Sequence, residues 1–466
     1  MQYIACMQTW QSQCTTPKSA RFQRLARLLL VSVTDVTMAS KISALVIGGS
    51  IGGLSAAHAL LRAGCRVTVL ERAPAVSGNS LGAGLGLEES VCDLLRSWTS
   101  KADFDKNSLP LHTEVNRVIE NRQANVLTHD SSYRHRSTHW SNIHHTLLHA
   151  LPDQSIIHFH HTVTDFHQAE GSNQVRVTAE VGEQKELKTF EGELLVAADG
   201  SMSQVRAKFR PQDKRRYSGY IAWRGVMQVR ENPEVAAAVR KAYAGMGDTL
   251  YFDLAKGTHS VLYELPEERL NWLWYVNQPQ PELQGSSVTL KATEDRIQHM
   301  HREADQIWPP ELAQLMQATK SPFINAIFDR EPLDQFVWGR VALLGEAAHP
   351  TTPHGLRSTN MAISDAGKLG AAISQHGGDL QAALQEYQQE RLPQTAKEVL
   401  FSRWLGQMKQ GLQNPDDPFP WPHADKTMLH QLQQSNMQSF DASKHAFATT
   451  NTESTVFPNT SASRIC

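Results

Sequence analysis

The chain has 466 residues, long enough for two domains and a sizeable core, and 40% of them are hydrophobic and 20% charged. Forty-five Lys and Arg against 47 Asp and Glu leave a net charge of −2, with no basic stripe for nucleic acid and no apolar run long enough to span a bilayer. The five cysteines show no metal-ligand spacing and fit a reducing intracellular compartment, cytoplasm or organelle, better than a disulfide framework.

Residues 1–40 precede the first predicted strand. They carry Lys18, Arg21, Arg24 and Arg27 against one acid, Asp35, and ARFQRLARLLLVSV (20–33) suits a basic amphipathic helix. Two readings stand side by side: an Arg-rich organelle transit peptide, or a spurious upstream start with Met38 as the true initiator. A membrane anchor is third, because LLLVSV is too short.

Residues 41–71 are the most informative stretch. Ile42 to Ile47 reads as a buried strand, and Gly48, Gly49, Gly52 and Gly53 crowd the turn after it. Leu54 to Leu61 continues as a helix, Gly64 ends it, and Val67 to Leu70 is a second strand closed by Glu71. This is a dinucleotide-binding βαβ pattern. Glycines let the backbone approach a pyrophosphate, the helix N-terminus faces its charge, and the acid accepts from a ribose hydroxyl. The middle position of G-x-G-x-x-G is Ser50 rather than glycine.

Further along, 155–198 holds the strand-like runs IIHFHHTVTDF, NQVRVTAEV and GELLVAADG. The last runs from Leu194 to Ala198 into Asp199-Gly200, opening D-G-x-x-S-x-V-R. Residues 217–277 are dense in aromatics at strand spacing. Alternation puts Tyr217 and Trp223 on one face and Tyr220 and Arg224 on the other, while Trp272 and Trp274 share a face opposite Tyr275. Most such aromatics serve packing, but one face of the group suits a pocket for a flat ligand. In 339–366, a strand from Arg340 to Leu344 leads into Gly345-Glu346-Ala347-Ala348 and a loop stiffened by Pro350 and Pro353. A helix follows from near Ser358 or Thr359, and 381–410 is a last long helical stretch. Beyond about 413 the chain is rich in Ser, Thr, Asn and Gln without apolar periodicity and reads as a largely disordered tail.

The G-x-G-x-x-G βαβ, the D-G strand exit and the G-[D/E]-A-A-H-P loop, in this order, resemble the single-component FAD-dependent aromatic hydroxylases of the p-hydroxybenzoate hydroxylase type. YSGYIAWRG and NWLWYVN look most like the branch containing 2,6-dihydroxypyridine 3-monooxygenase. GAGLGL, HSVLYEL and AAHPTTPHGLRSTNM are similar to a plant group of FAD/NAD(P)-binding oxidoreductases. The resemblance covers about residues 41–412.

It implies an α/β fold: a discontinuous Rossmann-like FAD-binding domain, an inserted mainly antiparallel β-sheet substrate domain and C-terminal helices. The expected division is 1–40 extension, 41–212 FAD-binding domain, 213–321 substrate sheet, 322–375 second FAD-binding part, 376–412 C-terminal helix and 413–466 tail. Gly48, Ser50, Ile51, Gly52 and Gly53 would cradle the FAD pyrophosphate, Glu71 would hold the adenosine ribose, and Arg72 would sit near the adenine. Asp199 and Gly200 would border FAD and the NADPH or NADH groove. Gly345, Glu346 and Ala347 match the motif whose acid binds ribityl or ribose hydroxyls. The loop from Pro350 to Asn360, with Ser358, Thr359 and Asn360 at its end, would carry backbone N–H groups to the flavin's pyrimidine edge. Two departures stand out: Glu346 replaces an aspartate, and Leu356-Arg357-Ser358-Thr359-Asn360 replaces G-x-G-x-N.

The implied activity is hydroxylation of an aromatic or heteroaromatic small molecule through a flavin C4a-hydroperoxide, with NAD(P)H and O₂, by a monomer or homodimer without nucleic acid or integral membrane segment. His354 is the candidate base for the substrate, and His349 reads as structural. Alternatives are another flavin oxidoreductase of this fold, such as an epoxidase or reductase, or a non-catalytic FAD-binding protein. If the N-terminal extension adds nothing to the fold, a chain starting at Met38 should keep the melting temperature and flavin content of the full chain. A clear drop in either would show that the extension packs on the domain.

Overall fold

The computed structural model describes residues 42–74, 82–283, 285, 287–414, 416–434, 440 and 441. The expectations for residues 1–40 lie outside the described residues. At the centre of a six-stranded sheet lies Ser43–Ile47, in the order Val337–Trp338, Val341–Leu343, Leu194–Ala197, Ser43–Ile47, Arg66–Leu70, Ile157–His158. Every pairing is parallel except that of the Val337–Trp338 edge. Interior parallel strands are covered on both faces and so read as unbroken apolar runs, which is why these segments were visible in the sequence. Val46, Val69, Leu195, Val196 and Ala342 are fully buried there. The helices Ile51–Arg62 and Arg357–Gln375 supply Leu54, Leu60, Ile363 and Leu369 to the same core.

A second sheet has eight strands, in the order Thr289–Leu290, Phe323–Asp329, Arg216–Gln228, Arg269–Asn277, Thr258–Leu265, Thr249–Ala255, Thr113–Glu120, Gln123–Asp130. It is antiparallel apart from the pairing of Thr249–Ala255 with Thr113–Glu120. Its aromatics divide by face as the alternation requires. Tyr217, Trp223, Trp272 and Trp274 enter a core with Trp308, Leu312 and Met316. Two of the indoles there are satisfied: Trp272 Nε1 donates to Thr319 Oγ1 at 2.8 Å and Trp274 Nε1 to Thr258 Oγ1 at 2.7 Å. Tyr220, Leu273 and Tyr275 turn to the opposite face, with Phe252, Val261 and Tyr263.

The expected boundaries need correction at two places. The strands Thr113–Glu120 and Gln123–Asp130, assigned to the first FAD-binding part, and Phe323–Asp329, assigned to the second, all pair into the eight-stranded sheet. Strand partners are chosen across long sequence gaps, so a linear division misses them. The tail is the other correction. After the Leu380–Lys409 helix the chain forms a short turn of helix at Trp421–His423 and a helix at Lys426–Leu432. Trp421, Leu432 and Phe440 are buried against Val118, Leu254, Phe401, Trp404 and Leu405. Four widely spaced apolar anchors (Phe419, Trp421, Leu432, Phe440) sit in a polar composition, so no periodicity betrayed them. No helix among the described residues is long and apolar enough to cross a membrane.

Trp421→Ala removes the largest of these anchors and should cost about 3–5 kcal/mol, the range for emptying a buried aromatic site. Urea denaturation measures it, and an unchanged midpoint would mean that the segment is not docked.

Candidate active site

The turn after Ser43–Ile47 is built by contacts that exclude side chains. Gly48 has φ +100° and its N–H donates to Leu70 O at 2.9 Å. A Cβ on Gly53 would lie 1.8 Å from Gly48 O, so this glycine serves helix–turn packing. A Cβ on Gly52 would meet only Leu344 and Ala362, at 3.4 and 3.6 Å. Ser50, the departure from the glycine pattern, has φ −78° and ψ −174°, an extended conformation open to any residue. The helix starts at Ile51, and its N-terminal N–H groups make that end suited to an anion. Glu71 is fixed at the next strand's end: Oε2 accepts from Gly49 N at 2.5 Å and Oε1 from Ala73 N at 2.7 Å. His144, unforeseen in the sequence, braces the turn through Nε2 to Gly49 O at 2.9 Å.

Asp199 follows Leu194–Ala197. Its Oδ2 accepts from Gln204 N at 2.9 Å at the head of the Gln204–Phe209 helix. Burial pushes its carboxyl upward, and Oδ1 is buried with no hydrogen-bond partner among the described residues. The last residue of D-G-x-x-S-x-V-R, Arg206, is buried; its Nε donates to Asp213 Oδ2 at 2.6 Å and its Nη1 to Ala348 O at 2.6 Å. It ties the second motif to the third.

That third motif is held from behind by Asp365. Its Oδ2 accepts from Gly345 N at 2.9 Å and meets His349 Nε2 at 2.6 Å, and its Oδ1 accepts from Arg391 Nε at 2.6 Å. His349, read from the sequence as structural, is thereby held against Asp365. Ala347 is buried in the turn, while the Glu346 carboxylate faces out and accepts from Ser358 Oγ at 2.7 Å. Gly355 and Leu356 both have left-handed backbone, φ +71° and +58°. The chain therefore keeps the turn that a glycine would favour, at some strain for leucine, and Leu356 seats on Gly86, where a Cβ would lie 2.3 Å from Leu356 Cδ1. Asn360 is a brace: Nδ2 donates to Gly86 O at 2.9 Å and Oδ1 accepts from Glu88 N at 3.0 Å.

Two cavities of about 450 and 520 Å³ open from these elements and share Ser50, Ala198, Gly200, Ser201, Val288 and Glu346 along their border. The second holds Gly48, Glu71, Arg72 and Asp199. The first holds Ile51, Gly52, Gly345, Pro350, His354, Ser358 and Thr359, and continues onto the cavity face of the eight-stranded sheet at Arg224, Phe252, Tyr263 and Tyr275. Of the expected cofactor residues, Gly53, Ala347 and Asn360 stay behind the walls. A bipartite cleft draped over a helix N-terminus, with the orphaned Asp199 Oδ1 in one half, fits a dinucleotide.

His354 is buried and has a partner at each ring nitrogen: Nδ1 is 3.3 Å from Tyr220 Oη and Nε2 is 3.2 Å from His259 Nε2. His259 Nδ1 is 2.6 Å from Gln410 Oε1, an acceptor, so that nitrogen carries the proton. His259 Nε2 is then bare and accepts from His354 Nε2–H, and His354 Nδ1 accepts from the Tyr220 hydroxyl. Burial, with His259, Lys409 and Arg224 nearby, holds His354 well below the usual histidine range. Gly406 permits this arrangement, since a Cβ there would lie 2.4 Å from Tyr220 Oη.

The profile of the FAD binding domain family matches residues 41–402. The chain belongs to this FAD-binding family. It is 29% identical to 3-hydroxybenzoate 6-hydroxylase of Polaromonas naphthalenivorans (strain CJ2) over 78% of this chain and 87% of that one. It is 26% identical to 6-hydroxynicotinate 3-monooxygenase of Pseudomonas fluorescens over 73% of this chain and 86% of that one. Its fold matches that of 2,6-dihydroxypyridine-3-hydroxylase from Arthrobacter nicotinovorans with a TM-score of 0.68 at 24% identity, over 80% and 94% of the two chains. The protein is thus an FAD-dependent monooxygenase of the aromatic hydroxylase superfamily.

Sequence reasoning missed Asp365, Arg206 and His144 as site builders. Asp365 left a signal: an acid four residues from Met361 and from Leu369 lies in the apolar stripe of its helix, and an acid there must be paired. The two turn glycines give a paired test. Gly52→Val should yield folded protein without bound flavin, because its Cβ meets no backbone but enters the cavity. Gly53→Val should fail to fold. Absorbance at flavin wavelengths and circular dichroism decide, and a folded, fully yellow Gly52→Val protein would remove this turn from the cofactor site.

Proposed function

We propose that the substrate of this hydroxylase is an aromatic or heteroaromatic ring held as an anion, with Arg224 as its counter-charge. Arg224 is the observation that carries the reading. It lines the 450 Å³ cavity among Phe252, Val261, Leu273 and Tyr275, and its Nε is buried with no hydrogen-bond partner among the described residues. A cation left unpaired in an aromatic-walled cavity favours a ligand that supplies charge and a flat apolar face.

Bound FAD supplies the oxygen-transfer chemistry, with electrons from NAD(P)H and oxygen from O₂. Gly48 to Gly52, Glu71, Arg72 and Asp199 would hold its adenosine and pyrophosphate, and Glu346, Pro350, Ser358 and Thr359 the half nearer the substrate. The remaining residues orient the ring and exclude water. Arg224 beside a ring hydroxyl lowers its pKa, and the resulting oxyanion makes the ring more nucleophilic. His354 enters this reading with a changed role. An imidazole whose two nitrogens are engaged, and whose charged form is disfavoured, is a poor base. Tyr220, pushed well above the usual tyrosine range by burial, keeps its proton. The substrate therefore gives its proton to solvent under the influence of Arg224, and His354 serves as a neutral, fixed part of the wall.

Two measurements test the reading. Arg224→Ala should weaken binding of a hydroxylated benzoate by roughly 1.5–3 kcal/mol, the scale of a charged hydrogen bond, without changing flavin content. Equal binding of neutral and anionic aromatics by the wild type would overturn it. Glu346→Ala should weaken FAD binding about tenfold or more, which is 1.4 kcal/mol. Equal dissociation constants in FAD titrations of the two apoproteins would mean that Glu346 is not a ligand.

A further inference from the structure

The segment 416–434 supplies one residue to the wall of the 450 Å³ cavity, Gln434. It is 2% exposed, and neither its Nε2 nor its Oε1 has a hydrogen-bond partner among the described residues. The backbone at this point is firmly placed. Gln434 N donates to Glu114 Oε2 at 3.2 Å, Glu114 Oε1 accepts from Asn116 Nδ2 at 3.0 Å, and Asn116 Oδ1 accepts from Lys409 Nζ at 3.4 Å. Two residues earlier, Leu432 is fully buried. A carboxamide held by so fixed a main chain, yet using none of its own donors or acceptor, is costly unless a ligand completes it.

We propose that Gln434 is a specificity-determining residue of the cavity, reading the lactam edge of a hydroxylated nitrogen heterocycle. A lactam places a ring N–H beside a C=O. The carboxamide matches it with two hydrogen bonds: Oε1 accepts from the ring N–H, and Nε2–H donates to the carbonyl oxygen. A carbocyclic phenol of the same outline puts a C–H where the lactam has N–H and leaves Oε1 unsatisfied in a buried place. A site built to hydrogen-bond one substrate rejects the analogue that lacks the group more strongly than an apolar pocket rejects a change of size. Arg224, on the wall of the same cavity, supplies the charge term common to both ligand types, and Gln434 supplies the discrimination. The assignment rests on the anionic-ring reading above.

The test uses the full chain loaded with FAD and a matched pair of anionic ligands, 6-oxo-1,6-dihydropyridine-3-carboxylate and 4-hydroxybenzoate. Dissociation constants are read from the perturbation of the flavin absorbance, without turnover. The wild type should bind the lactam about tenfold or more tightly than the phenol, on the scale of a missing hydrogen-bond partner. Gln434→Leu should bring the ratio to within about twofold, with flavin content unchanged. Gln434→Asn, which keeps the amide on a shorter arm, should retain part of the preference. A preference that survives in Gln434→Leu overturns the assignment. So does a wild-type ratio near one, which needs no variant to fold. If both ligands bind equally well, only the role of Gln434 falls. If neither perturbs the flavin at millimolar concentration, the reading of an anionic ring held by Arg224 falls with it.

Discussion

Asp365 is wholly buried, and a lone carboxylate in that position would be strongly destabilising. Burial pushes its carboxyl upward, but His349, Arg391 and the Gly345 N–H together outweigh this and leave it below the usual carboxylate range. The stabilisation is therefore present above the ordinary carboxylate pKa and fades as pH falls through the lowered, folded-state value. Because Asp365 lies on the Arg357–Gln375 helix and its partners come from the Gly345–His349 turn and the Leu380–Lys409 helix, satisfying this one charge fixes all three in a single arrangement. Removing one partner from such a buried set typically costs about 3–5 kcal/mol. The pairing is as much a geometric device as a stabilising one, since it sets where Glu346 stands at the border of the two cavities and Ser358 beside it on the wall of the first.

Other polar side chains extend the same framework outward. Arg206 reaches from the D-G exit to Ala348 O, and Asn360 clasps the main chain at Gly86 and Glu88. Each is a multi-bond contact between segments far apart in sequence. The strand ends of the parallel sheet and the cavity face of the eight-stranded sheet are thereby brought to one cleft, which is where a dinucleotide and a flat substrate must meet. The wall is divided by chemistry. Backbone N–H groups and carboxylates line the half beside Glu71 and Asp199, whereas aromatic rings with Arg224 line the half beyond Glu346.

Two departures from the family pattern turn out to be local matters of backbone geometry. Ser50 stands where glycine is usual, but its extended conformation never called for one. Leu356 also stands where glycine is usual, and there the left-handed conformation persists despite the side chain, stabilised by Asn360 Nδ2 donating to its carbonyl at 2.5 Å and by its seat on Gly86. The letters alone cannot separate these cases, because the difference lies in φ rather than in residue type. The same limit applies to His354. Its place at the cavity followed from the loop, while its tautomer and its engagement by Tyr220 and His259 depend on three elements packed together.

The sequence by itself determined the βαβ turn, the two later strand exits, the alternation of the aromatic strands and, through them, the flavoprotein family. These are local signals: glycine placement, apolar runs and period-two patterns act within a few residues of one another, and their physics does not wait for the rest of the fold. Tertiary structure alone decided the partners of Asp365, the strands Thr113–Asp130 joining the second sheet, and the docking of 416–434 that carries Gln434 to the cavity. Those depend on which surfaces meet when separate elements pack, from 16 to 26 residues apart for the partners of Asp365 to 320 for Gln434 and Glu114. A buried charge or a lone tryptophan in a polar stretch announces only that a partner is needed, and the fold supplies which one.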